Sequence, residues 1–137
     1  MSIEDKKQDV IKRLSYFDSW EERYKQILHF GKKLPPMDES LKTEDRLVKG
    51  CLSRVWLAPE MIEGRLHFHA DSDAAITKGI IALLLKVYSG ETPADIVELD
   101  ASFLEQVGIT DHLSMNRRNG LVNMLGMIKL YAGQELK

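Results

Sequence analysis

Apolar residues recur at helical spacing near the start of the chain, where Val10, Ile11 and Leu14 would share one face of a first helix. Ser2 precedes it with Asp5 three positions on, so hydroxyl and carboxylate can each satisfy a free amide at the helix start. Ser19 and Glu22 repeat that signal, and Trp20, Tyr24, Ile27, Leu28 and Gly31 continue at the same period. Gly31 is placed to end this second helix. The following stretch, KKLPPMDESLKTED, loses the period, and its paired prolines predict a loop.

The period then changes to two. Val55, Trp56 and Leu57 favour a strand, with Trp56 expected in the core, and Glu63-Gly64 supplies a turn. In RLHFHAD, Leu66, Phe68 and Ala70 alternate with Arg65, His67, His69 and Asp71, the pattern of a hairpin strand with one face on a core. Residues 46–48 carry a weak signal for a third strand. Asp71 or Ser72 is predicted to cap a long apolar helix over 73–89, with Gly90 at its end. Thr92-Pro93 with Asp95 opens a short helix, Asp100 begins another that stops at Gly108, and Ser114 caps the last. That final helix carries Leu121, Met124, Leu125, Ile128 and Ala132 on one side, with Met127 at its edge. Helices outside a small antiparallel sheet define an α+β fold.

A chain of 137 residues predicts one domain, over 1–137, able to bury a core without a disulfide or metal. The 19 basic and 21 acidic side chains are intermixed, which leaves no basic stripe for nucleic acid. The run from Ile80 to Leu85 is too short to cross a bilayer, and MSIEDKKQDV lacks the apolar centre of a signal peptide. One cysteine forms no internal disulfide and fits a reducing compartment, so the cytoplasm is the expected location.

That cysteine, Cys51, sits in RLVKGCLSRVW between the loop and the first strand, beside Gly50. As a small hydrophobe it would be buried. As a hydrolase nucleophile it would need His29, His67, His69 or His112 within reach, and no local signature ties one to it. A zinc or iron–sulfur site needs several more ligands, and His67 with His69 offers two at most, so no metal site is expected. A carrier of labile sulfur gains from solitude, because a second thiol would discharge a persulfide as a disulfide. Lys49 and Arg54 lie close in sequence and could favour the thiolate.

Together these residues resemble the SufE family of cysteine desulfuration proteins. The likeness is carried by WEERY at 20–24, GKKLP at 31–35, VKGCLSRVW at 48–56, DSDAAITKG at 71–79, and LSMNRRNGL at 113–121, in that order. It implies an α+β fold related to the IscU scaffold. It implies that Cys51 accepts sulfane sulfur from the persulfide of a SufS-type cysteine desulfurase, stimulates that enzyme, and delivers the sulfur to an iron–sulfur scaffold complex. The chain would then act as carrier and activator, not as an independent enzyme, alone or as a homodimer. It would hold no cofactor, since the pyridoxal phosphate belongs to the desulfurase. The family's cysteine loop tucks inward at rest, with Gly50, Ser53, Asp73 and Arg117 at positions tied to loop conformation and partner docking. Leu52 stands where relatives frequently place a polar residue, which would favour the inward pose.

Overall fold

A computed structural model describes residues 2–51 and 53–137. Helix α1 (Ile3–Ser15) opens with Ser2 and Asp5 exchanging side-chain and backbone hydrogen bonds, and it buries Val10 and Leu14. Helix α2 (Trp20–Lys32) is capped by Ser19, whose hydroxyl accepts from the Glu22 amide. The intervening loop holds two short 3₁₀ turns, Glu39–Leu41 and Glu44–Arg46. Strands β1 (Val55–Ile62) and β2 (Arg65–Ser72) pair antiparallel in the register Val55 with Ser72 to Ile62 with Arg65. Helix α3 (Ala75–Tyr88) follows, then α4 (Pro93–Glu98), α5 (Phe103–Gln106), α6 (Ile109–His112) and the long α7 (Met115–Glu135). The α+β class expected from the pattern is the one observed.

Helix α3 is the centre. Eleven of its 14 residues are buried, including Ile80, Ile81, Leu84 and Val87, so it is apolar around most of its circumference and enclosed by other elements. Helix α2 crosses it where Gly31 faces Gly79: a side chain on Gly31 would stand 2.8 Å from the Gly79 amide nitrogen. Gly31 therefore does not end α2. The helix runs on to Lys32, and the glycine serves close approach of two backbones.

Other boundaries moved for comparable reasons. The strand keeps pairing to Ser72, so α3 begins at Ala75 with Ala74 as a cap that offers no side-chain bond. Asp71, expected as a cap, binds Lys42 at 2.8 Å and Lys78 at 3.2 Å, while the Ser72 hydroxyl accepts from the Ala74 amide. The third strand reduces to a single bridge between Leu47 and Trp56, with the Val48 amide donating to the Val55 carbonyl. The helix expected from Asp100 to Gly108 shortens to the single turn α5, and Gly108, with a left-handed φ of 78°, lets a further short helix, α6, begin at Ile109. Trp56 is half-buried beneath the Lys42 ammonium and stands outside the main core.

Two polar anchors fix the periphery. Lys6 binds the buried carboxylate of Glu91 and the Ser89 carbonyl, tying α1 to the segment after α3. The Lys129 ammonium on α7 donates to the carbonyls of Ile96, Val97 and Leu99 at 3.1, 2.9 and 2.5 Å, closing the C-terminal end of α4. Lys129→Met keeps the aliphatic stem and removes these donors. It is expected to cost about 2 kcal/mol in a denaturant melt, with fraying centred on α4 in hydrogen exchange.

Candidate functional site

Cys51 lies half-buried at the tip of the loop that enters β1, against the first turns of α3 and α7. Three contacts hold that loop. The Cys51 thiol points at the Gly120 carbonyl at 3.8 Å, a weak sulfur hydrogen bond. The Ser53 hydroxyl donates to the Thr77 hydroxyl at 2.9 Å. The Arg54 amide donates to Asp73 Oδ1 at 2.9 Å, and the Asp73 amide returns a bond to the Arg54 carbonyl at 3.2 Å. Asp73 lies just before α3 and clamps the loop where it becomes strand.

Two glycines let the loop sit so close. Gly50 has φ of 82°, and a side chain there would collide with the Asn123 amide. Gly120 faces the sulfur: its missing side chain would come within 3.1 Å of Sγ. An added methyl at 120 would require the sulfur to give way by a few tenths of an ångström.

A cavity of about 380 Å³ opens beside the sulfur. Ile76, Ile80 and Met124 form apolar walls; Ser53 and Thr77 lie to one side, and Arg117 with Asn116 come from the first turn of α7. Arg117 is exposed, and it lines the cavity where its neighbour Arg118 does not. Burial pushes the Cys51 thiol above its ordinary value, and no cation is among the causes. The expected help from Lys49 and Arg54 is thus not realised in this pose, in which burial disfavours the charged thiolate.

The structure brings Gly50, Cys51, Ser53, Asp73 and Arg117 together as one neighbourhood. It keeps the histidines away. None lines this cavity: His112 stacks on Trp20 at 4.5 Å, His69 meets Glu60 at 3.3 Å, and His67 lies beside Gly90. Without a base at the sulfur, the hydrolase alternative lacks its second group. Among the described residues no group of three or more His, Cys, Asp or Glu side chains could hold a metal ion. No helix among them is long and apolar enough to cross a membrane. Leu52, expected to favour the inward pose, lies outside the described residues.

Sequence reasoning overlooked Thr77 and Asn123. Thr77 is the one polar side chain that α3 buries, and Asn123 comes three positions after Gly120 on the same side of α7. Both offered a signal that only the docked loop explains. Thr77→Val keeps the shape and removes the acceptor for Ser53, so the loop should open more often. Alkylation of Cys51 by iodoacetamide is expected to speed up about fivefold at neutral pH, with its pH profile shifted toward that of an ordinary thiol.

The site is thus a half-buried, solitary thiol on a clamped loop, set against an α+β frame. The chain belongs to the SufE family: the model of the Fe-S metabolism associated domain matches residues 8–132. An uncharacterized SufE-like protein of Rhizobium meliloti is 36% identical over 125 residues, covering 88% of this chain and 89% of that one. A second, from Synechocystis, is 37% identical over 123 residues, covering 90% and 77%. SufE-like protein 1, chloroplastic/mitochondrial, of Arabidopsis thaliana is 36% identical over 125 residues; these span 90% of this chain and 34% of the plant protein. The solution structure of a hypothetical protein from Thermus thermophilus superposes with a TM-score of 0.81 over 96% of both chains at 20% identity, a likeness of fold.

Proposed function

We propose that this protein is the sulfur acceptor and carrier for a SufS-type cysteine desulfurase, taking sulfane sulfur onto Cys51 and delivering it to an iron–sulfur scaffold complex. The single observation that supports the reading most is the seat of Cys51: one free thiol, apolar walls beside it, and no histidine or second thiol among the described lining residues.

The transfer is a thiol–persulfide exchange. The Cys51 thiol gives up its proton, and the thiolate attacks the outer sulfur of the donor's persulfide. A new S–S bond forms at Cys51 as the donor's own S–S bond breaks, and the donor leaves as a thiolate that regains a proton. Oxidation level is conserved overall, so no external oxidant or reductant is required. Burial disfavours the thiolate in the resting pose, so the step belongs to an outward loop engaged by the desulfurase. Gly50 and the release of the Ser53 and Asp73 contacts permit that movement, and Arg117 at the cavity mouth is the docking residue. Retreat into the cavity then screens the loaded persulfide from reductants. The pyridoxal phosphate remains with the desulfurase, and a reducing interior such as the cytoplasm suits a carrier that must stay a free thiol between rounds.

The test is a mass measurement. After incubation with desulfurase, free cysteine and pyridoxal phosphate, the intact chain should gain about 32 Da, one sulfur, reversible by a thiol reductant. A chain that gains no mass while the desulfurase turns over would overturn the proposal.

A further inference from the structure

A second concavity lies between α1, the end of α2 and the C-terminal half of α3, with a volume of about 670 Å³. It shares no lining residue with the Cys51 cavity. Along α3 their nearest lining residues are Ile80 and Ala82, two positions apart and so on nearly opposite faces of the helix. Its floor is apolar, with Phe17, Phe30 and Leu34 only partly buried above Leu85. Its rim is cationic: Lys12, Arg13, Lys33 and Lys86 surround it, against the one carboxylate of Asp9, which is bound to Arg13 at 3.0 Å. Lys12, Lys33 and Lys86 are exposed, and none has an ion-pair partner among the described residues.

Such a concentration of unpaired positive charge is notable on a chain whose net charge is −2. Like charges gathered around an apolar floor repel one another, and a ligand that brings carboxylates to the rim and an apolar ridge to the floor relieves both. We propose that this groove is a second docking site, for an acidic amphipathic helix of a partner protein. A helix presents its apolar residues as a convex ridge that fits a concave floor, whereas a bilayer surface would need a flat or protruding apolar patch. Carboxylates flanking that ridge face Lys12 and Arg13 on one side and Lys33 and Lys86 on the other. Because the groove is separate from the Cys51 cavity, a partner can hold the protein here while the cysteine loop is engaged elsewhere.

The probe is a labelled synthetic peptide of about fourteen residues, with leucine at every third or fourth position and glutamate at most others. It is titrated with the full chain and followed by fluorescence anisotropy. Saturable binding at one peptide per chain is expected, weakening several-fold as salt rises from about 0.05 M to about 0.5 M. The triple variant K12E/K33E/K86E, with its fold checked by thermal melt, should bind about tenfold more weakly. A counterpart peptide carrying lysine for glutamate should bind that variant and not the wild type. The proposal is overturned if the glutamate peptide fails to saturate, or if charge reversal leaves its affinity unchanged. It is equally overturned if dodecanoate or anionic vesicles occupy the groove in preference to the peptide, which would assign the site to lipid.

Discussion

Serine at position 51 is expected to leave the fold standing and sulfur loading at zero. The thiol makes one weak contact, 3.8 Å to the Gly120 carbonyl, and is half-buried, so exchanging Sγ for Oγ disturbs little packing. A cost of about 1 kcal/mol or less is expected, small against ordinary domain stability. Chemistry fares differently. Sulfane sulfur is attacked by a thiolate, and a serine hydroxyl does not ionise in the range where thiols do. The chain holds no second cysteine to substitute. Intact mass after desulfurase treatment should therefore show no added sulfur in Cys51→Ser, with a melting curve close to wild type. If the variant still raised desulfurase turnover as wild type does, relay through Cys51 would be the wrong account of that stimulation.

Gly79→Ala is expected to produce the largest loss of stability, through a helix crossing and not through the thiol. An added methyl at 79 would overlap the Ile27 carbonyl and lie 2.8 Å from the Ile27 side chain. The obstacle is helix backbone, which yields only if α2 moves off α3. Each of these helices buries its apolar face in that crossing, so separation opens a gap across the core. The ordinary gain of alanine over glycine in a helix, about 1 kcal/mol, is outweighed by overpacking, and a net loss of about 3 kcal/mol is expected. For a chain of this size that corresponds to roughly 10 °C in the melting midpoint. Gly126→Ala on α7 is the control, because a side chain there meets nothing, and it should stabilise slightly.

The contrast between those glycines shows where sequence reasoning stops. Gly31 follows an apolar helical run and is followed by paired prolines, which is the local signature of a helix end. In three dimensions it is an interior residue whose missing side chain admits another helix. Local pattern cannot distinguish the two uses, because the demand for a small residue comes from an element almost fifty positions away. Asp71 illustrates the same point with charge. Its place before an apolar run reads as a cap, yet Lys42 and Lys78 recruit it and the strand runs past it. The hairpin, by contrast, was legible because its period and its turn are both local, and Leu66, Phe68 and Ala70 are buried as their alternation demands.

By itself the sequence determined the α+β class, the hairpin and its inward face, the capped first helices, and Cys51 as the one thiol available for chemistry. These follow from short-range periodicity, capping chemistry and counting. Tertiary structure alone decided that α3 is a core helix and that Asp73 clamps the loop through the Arg54 amide. It also decided that Gly120 and Asn123 shape the cysteine's seat and that every histidine stands away from the sulfur. Each of those depends on which distant surfaces meet. Burial, which pushes the Cys51 thiol above its ordinary value, is a property of that meeting and has no counterpart in the residues taken one after another.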